Sequence, residues 1–356
     1  DNKSGIKSVR VTVVQGETQK ILYYKDNPRT GYRSPVGPLE EKAEIAVDCK
    51  KLGLKEGPVQ LVLEVKDFSL NRWFQGNKTE QRKEITIDTE APKIHILHSE
   101  RSVTPGGSGL VIYQMDDEHA TTGVLLNGHF NHAYQAAKEG RGKNIFIAYY
   151  GMPYNASVLS QFTITAVDKA ANETAVPVGA SFRADNKKRD TINISDGFLE
   201  RKIPEFRQYY PEMSGDLLSQ YIHVNNIVRK KNGEVISEIC KKSSADKLWS
   251  GVFGRMAGSK RAGFAEYRSY LYRGKVIDHQ VHLGVDIASV RQDKVKAANS
   301  GVVVYADYLG IYGKMVMIDH GQGVFSLYSH LSQIDVSPGV TVNKGDFIGL
   351  TGTTGM

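Results

Sequence analysis

Two residues near the C-terminus have the types and the spacing of a metal-ligand pair. His282 and Asp286 stand four residues apart in the run His-Leu-Gly-Val-Asp. On a strand or a turn, such a pair can converge on one ion, and zinc accepts both imidazole nitrogen and carboxylate oxygen. Alone, the pair is a weak signal, because most His-x-x-x-Asp pairs in proteins are surface or packing residues.

A third candidate, His330, lies in the run Tyr-Ser-His-Leu-Ser at residues 328–332, where a predicted strand closes. A neutral imidazole near a metal can take a proton from water or steady a developing oxyanion. Alone, a histidine at the end of a strand is more often a polar terminus. The chemistry therefore depends on the elements that would bring the three side chains together.

The elements around these residues are predicted to be strands. Apolar runs at 301–306, 314–319, 324–328 and 347–350 are separated by glycine-containing turns. No long helical pattern interrupts them. Residues 236–356 are therefore predicted to form an antiparallel β barrel or sandwich.

The N-terminal half also reads as strands, in two similar modules. Residues 1–91 contain alternating apolar residues, and Pro92 favours a boundary because it lacks a donor for a sheet ladder. Residues 92–185 continue in the same style, with an alternating strand at 162–167. In both modules a strand is followed by Asp, three residues and Asn, and these pairs predict the same turn: Asp67 with Asn71, and Asp168 with Asn172.

These two modules resemble bacterial immunoglobulin-like domains. The runs Asp-Asn-Lys-Ser-Gly-Ile at residues 1–6 and Asp-Thr-Glu-Ala-Pro at residues 88–92 add to the resemblance. It implies two β-sandwiches, at residues 1–91 and 92–185.

Residues 186–235 change to a helical pattern. Ser195 and Asp196 can cap a first helix, and Pro204 is predicted to open a second one. Ser214 is a candidate cap for a further helix, whose apolar face consists of Leu217, Leu218, Tyr221 and Ile222. We expect a helical connector that packs on a neighbouring element.

The order of motifs in the last 100 residues resembles the LytM (M23) family of zinc peptidases. The matching runs lie at residues 282–286, 297–303, 312–313, 318–321, 328–332, 342–346 and 348–355. The resemblance implies a zinc-dependent endopeptidase that cuts peptide bonds in peptidoglycan stems or cross-links. It implies that His282 and Asp286 are two of three protein ligands of one Zn²⁺ ion, and that His330 is catalytic.

The sequence departs from this family at one point. The family has a His-x-His pair on a following strand, and no such pair occurs before Met356. We expect the natural chain to continue with this pair, because a barrel without its last strand would expose an edge. The alternative is a degenerate domain, a non-catalytic regulator of LytM type that activates a separate cell-wall amidase. A third interpretation, an adhesin-like binding module, has support from the N-terminal half alone.

Composition narrows the range of partners. The 356 residues have a formal net charge of +7, which suits an anionic partner such as a cell-wall polymer. The chain has no nucleic-acid-binding signature and no apolar run of the length of a membrane span, although an anchor upstream of Asp1 stays open. The expected partners are peptidoglycan peptides and, in addition, an amidase or an envelope protein. These partners imply the periplasm or cell envelope as the location of the protein. The state of the two cysteines, Cys49 and Cys240, cannot be inferred from their spacing.

Overall fold

The computed structural model describes residues 4–356 except 32, 34, 70–75, 118–119, 140–142 and 185–187. Contacts divide the chain into two compact units, Asp1–Ala91 and Pro92–Met356. Strands dominate both units, which confirms the prediction of a mostly β protein.

The first unit contains a four-stranded antiparallel sheet in the order β2-β1-β3-β4. Its core consists of Val13, Leu54, Val59 and Ile87. A one-turn helix, α1, lies between β2 and β3. The bounds are β1 Ile6–Gln15, β2 Thr18–Asp26, α1 Cys49–Leu52, β3 Gly57–Asp67 and β4 Lys78–Ile87. The predicted turn between Asp67 and Asn71 cannot be compared, because Asn71 lies outside the described residues; the Asp67 carboxylate accepts from the backbone N–H of Asn77.

The second unit begins with a seven-stranded sheet in the order β12-β11-β8-β9-β10-β7-β5, accompanied by a parallel pair, β6 and β13. The sheet closes over one apolar core, in which Tyr113 and Met115 are fully buried. The Asp168 carboxylate accepts from the N–H of Asn172, the turn predicted from the sequence. The bounds are β5 Ile94–Ser99, β6 Ser102–Val103, β7 Ser108–Met115, β8 Thr121–Leu126, β9 His129–Glu139, β10 Lys143–Gly151, β11 Phe162–Val167, β12 Glu173–Pro177 and β13 Ser181–Phe182.

A strand and a run of helices follow. β14 (Arg189–Ile194) pairs in parallel with a strand of the C-terminal region. The helices are α2 (Asp196–Arg207), α3 (Leu217–His223), a π-helical turn (Val224–Val228) and α4 (Arg229–Cys240). None of the helices in the described part of the chain has the length and hydropathy of a membrane span.

Two details of the helical prediction were wrong, and one was right. The Ser195 hydroxyl accepts from the N–H of Phe198 and caps α2, as predicted. Pro204 lies inside α2 and opens no second helix. Asp216, and not Ser214, caps α3 by accepting from Ser219, because a capping side chain must stand directly before the first turn.

The C-terminal region consists of short sheets around a larger one. A six-stranded antiparallel sheet has the order β19-β24-β22-β21-β20-β23, and its core includes Val316, Ile318, Leu331 and Ile348. β16 and β17 form a hairpin beside β14, and β15 pairs with β18. The bounds are β15 Ser259–Ala262, β16 Glu266–Tyr272, β17 Lys275–His282, β18 Asp286–Ala288, β19 Lys294–Lys296, β20 Gly301–Tyr308, β21 Lys314–Asp319, β22 Phe325–Ile334, β23 Thr341–Val342 and β24 Phe347–Thr351.

Candidate metal centre

His282 and Asp286 meet across a three-residue link between two strands. His282 ends β17, and Asp286 begins β18. His282 Nε2 lies 3.2 Å from Asp286 Oδ1. Zinc bonds of roughly 2.0–2.1 Å at a tetrahedral angle put two ligand atoms roughly 3.3 Å apart. The two side chains therefore fit adjacent positions around one zinc ion.

The other ring nitrogen of His282 supports this assignment. His282 Nδ1 lies 2.9 Å from the carbonyl oxygen of Gly263. Because a carbonyl oxygen can only accept, Nδ1 carries the proton, and Nε2 is the atom left to bind a cation. Two acceptors as close as Nε2 and the Asp286 carboxylate need a cation between them, either a second proton on the imidazole or a metal ion.

The Asp286 carboxylate is held ionised. Its hydrogen bond with His282 is the main reason that the pKa of Asp286 falls to about 2 from its ordinary 3.8. Burial opposes this shift, and the guanidinium of Arg268 adds to it. A carboxylate that stays charged across the physiological pH range suits a metal ligand.

The loop at residues 263–265 holds His282 through hydrogen bonds to its ring and to its backbone. Gly263 accepts the His282 Nδ1–H through its carbonyl oxygen, and the Ala265 N–H donates to the carbonyl oxygen of His282 at 2.8 Å. Ala265 has a φ of +61°, a strained value for a residue with a Cβ. Glu266 Oε1 accepts from the Gly263 N–H at 2.8 Å and fixes the other end of the loop.

The sequence did not predict the roles of Gly263 and Glu266. Arg268, Tyr270 and Tyr272 also precede the His282 motif in the sequence. The structure buries Tyr270 in the core and bonds the Tyr272 hydroxyl to Asp196, whereas Arg268 reaches the Asp286 carboxylate at 3.3 Å. The sequence signal for the roles of Glu266 and Arg268 is the alternation of these two charged residues on one strand ahead of the His282 motif.

His330 adopts a backbone conformation that histidine rarely has. It lies inside β22 and does not close a strand as predicted, since β22 continues to Ile334. Its φ is +61°, and the pairing of β22 with β21 is irregular between Tyr328 and Leu331, as at a β-bulge. Such strain persists where the surrounding structure imposes it, and it is typical of functional positions.

The ring of His330 is oriented by the loop that follows β24. Its Nδ1 lies 2.8 Å from the carbonyl oxygen of Thr354, so the proton is on Nδ1 and Nε2 is an acceptor. The Thr354 hydroxyl in turn donates to the carbonyl oxygen of Leu331 at 2.8 Å. Glu205 of α2 accepts from the Gly355 N–H at 2.6 Å, so the connector helix helps to hold this loop.

His320 has a different role. Its two ring nitrogens lie 2.7 Å from the carbonyl oxygen of Ser300 and 2.7 Å from the hydroxyl of Ser326. The side chain is fully buried, and burial lowers its pKa. With both nitrogens bonded inside the sheet, His320 stabilises the fold and has no free atom for a metal.

The structure thus brings together two of the predicted residues. No group of three or more histidine, cysteine, aspartate and glutamate side chains that could hold a metal occurs within the described ranges. His282 and Asp286 stand as a pair, and His330 does not join them as a ligand. Cys49 and Cys240 are free cysteines.

Comparison with known proteins identifies the C-terminal region. Residues 280–356 match the model of peptidase family M23. The DD-carboxypeptidase/endopeptidase Mpg of Neisseria meningitidis is 40% identical over 86 residues, which are 24% of this chain and 20% of Mpg. The peptidoglycan DD-endopeptidase ShyA of Vibrio cholerae is 29% identical over 141 residues, 40% of this chain and 30% of ShyA.

A third relative has a different kind of name. The murein hydrolase activator EnvC of Escherichia coli is 39% identical over 72 residues, 20% of this chain and 17% of EnvC. The chain therefore spans less than a third of the length of each of these three relatives. Residues 280–356 form a domain of peptidase family M23.

Proposed function

We propose that the M23 domain is a zinc-dependent endopeptidase that hydrolyses peptide bonds of peptidoglycan stems or cross-links. The observation that carries this proposal is the approach of His282 Nε2 to Asp286 Oδ1 at 3.2 Å, with Nδ1 bonded to a carbonyl oxygen. The name of ShyA, a peptidoglycan DD-endopeptidase, supports the substrate class, and the name of Mpg supports endopeptidase activity.

His282 and Asp286 would hold the zinc ion. Zinc supplies Lewis acidity, which polarises a carbonyl group and makes water a nucleophile at neutral pH. Catalytic zinc sites use three protein ligands, and the described residues provide two. The proposal therefore requires a third ligand, which the family resemblance assigns to a His-x-His pair.

The chain's own side chains have distinct tasks in this proposal. The Gly263 carbonyl oxygen keeps His282 in the tautomer whose Nε2 faces Asp286. The Thr354 carbonyl oxygen likewise keeps the proton of His330 on Nδ1, so that His330 Nε2 is free to take a proton from the attacking water. Once protonated, the His330 ring stabilises the negative charge that develops on the carbonyl oxygen of the scissile bond and then donates its proton to the leaving amine nitrogen.

The substrate implies a place for the protein. We propose that it acts in the periplasm or at the cell envelope, where peptidoglycan lies. The two N-terminal β modules would serve as spacers or as units that bind an envelope partner.

The test is cleavage of purified muropeptides by the full-length gene product, with products identified by mass spectrometry. We expect new amino and carboxyl termini within stem or cross-link peptides, loss of cleavage with a chelator, and recovery when zinc is added. Cleavage that persists without metal would contradict the proposal. His279→Ala is the matched control, because this exposed histidine lies on β17 but bonds to Ser269.

A regulator is the second candidate, and the match to EnvC favours it. In this case the domain would activate a separate cell-wall amidase without hydrolysing peptides itself. The same assay separates the two functions when an amidase is added. Release of stem peptides that needs both proteins, with no cleavage by either alone, would identify the regulator.

A further inference from the structure

Arg268 lies beside the proposed metal ligands in a half-buried position on β16. Its Nη2 lies 3.3 Å from Asp286 Oδ2 and 3.7 Å from Glu266 Oε2. Only 17% of the Arg268 side chain is exposed. The register of the hairpin places Glu266 opposite His282 and Arg268 opposite Gln280, so these side chains share one face.

The Asp286 carboxylate divides its two oxygens between two neighbours. Oδ1 faces His282, whereas Oδ2 faces Arg268. A carboxylate rotates easily about its terminal torsion, so an anchor on one oxygen fixes the direction of the other. Arg268 therefore holds Asp286 Oδ1 toward the point where His282 Nε2 also converges.

The hydrogen bonds of Arg268 are incomplete. Its Nε is buried and has no hydrogen-bond partner among the described residues. A buried donor without a partner costs stability, and the ion pairs of Arg268 with Asp286 and Glu266 offset this cost. Its two carboxylate contacts, one of them with a proposed metal ligand, give the position a functional reason.

We propose that Arg268 is a positioning residue, which orients Asp286 for zinc. The proposal rests on the proposed function, because it presumes zinc at this site. A cation near a metal also repels it, so two effects compete: orientation of the carboxylate favours zinc, and charge opposes it. The proposal states that orientation dominates.

The experiment measures the zinc affinity of the full-length gene product by competition with a chromophoric chelator. Arg268→Lys keeps the charge but loses the planar fork, and Arg268→Met keeps much of the volume but loses the charge. We expect both variants to bind zinc roughly 10–100-fold more weakly, the usual effect of losing such a supporting contact. Changed intensity in the visible spectrum of the Co²⁺ form would report the altered ligand geometry.

Controls separate this role from a structural one. Arg273→Lys and Arg273→Met alter an exposed arginine of the same hairpin that pairs with Asp196, and they should leave zinc affinity unchanged. Thermal unfolding of each zinc-free variant identifies any variant that fails to fold. If Arg268→Met fails to fold, the zinc affinity of the milder variant, Arg268→Lys, tests the proposal.

Two results would overturn the inference in distinguishable ways. Wild-type affinity in both Arg268 variants, or tighter binding by Arg268→Met, would refute the positioning role alone. A wild-type protein that takes up no zinc would refute the proposed function together with this inference.

Discussion

The substitution Gly106→Ala should weaken zinc binding, although Gly106 does not contact the proposed zinc ligands. Gly106 precedes β7, has a φ of +73° and donates to the carbonyl oxygen of Met152. A Cβ at this position would lie 2.6 Å from Cε1 of Phe264. Phe264 stands between Gly263 and Ala265, the two residues that bond to His282.

The size of the effect has two parts. Any residue with a Cβ in the left-handed region costs roughly 1–2 kcal/mol, so Gly106→Ala should destabilise the protein by about that amount. The ring of Phe264 must also move, and we expect part of this displacement to reach the loop that holds the His282 ring. Complete loss of the contact between His282 and Gly263 would lower zinc affinity roughly 10–100-fold, or about 1.4–2.7 kcal/mol, and this range is the upper limit of the effect.

Gly128→Ala provides the matched control. Gly128 has a φ of +83° in the same module, and its added Cβ would meet no atom within 4 Å. The two variants should therefore show similar losses in thermal unfolding of the zinc-free protein, whereas only Gly106→Ala should lose zinc affinity in a chelator competition. Equal zinc affinity in both variants would refute the idea that the module supports the His282 loop.

The remaining predictions concern His330 and Asp286. His330→Gly should reduce cleavage roughly 10²–10⁴-fold, because proton transfer by the imidazole is lost. The same substitution should raise the free energy of unfolding by about 1 kcal/mol, because glycine relieves the strain at φ +61°. Activity assays and denaturant unfolding measure the two effects, and a variant less stable than the wild type would contradict the strain argument. For Asp286, the lowering of the pKa from 3.8 to about 2 stabilises the folded state. Because the side chain is 41% exposed, solvent screening keeps this contribution below about 1 kcal/mol. Because the pKa of Asp286 is lower in the folded state, this stabilisation is present above pH 3.8 and disappears as the pH falls through about 2. The zinc-free Asp286→Asn variant should therefore be less stable than the wild type at pH 5 and equal to it near pH 2. A difference in stability that persists at pH 2 would contradict the lowered pKa of Asp286.

The local parts of the fold and of the site could be predicted from the sequence. Apolar runs between glycine-containing turns predicted the strands that became β20 (Gly301–Tyr308) and β21 (Lys314–Asp319), because a short apolar run bounded by turn residues is typical of a buried strand. The contact between His282 and Asp286 follows from four residues of spacing across a turn, and the structure places their ligand atoms 3.2 Å apart. Both features depend on neighbours in the sequence.

The rest depends on pairing between distant segments. The bulge at His330 arises where β22 must pair with both β21 and β24, which no local pattern records. The contact of Arg268 with Asp286 depends on the register of the β16–β17 hairpin. Pro204 was misplaced because a proline looks like a helix start, although here it lies within α2.

The zinc content of the full-length gene product tests the central claim most directly. Metal analysis of the purified protein should find about one zinc ion per chain in the wild type and in His279→Ala, and almost none in His282→Ala. Undiminished zinc in His282→Ala would show that the metal, if present, lies elsewhere and would contradict the assignment of His282 and Asp286 as its ligands.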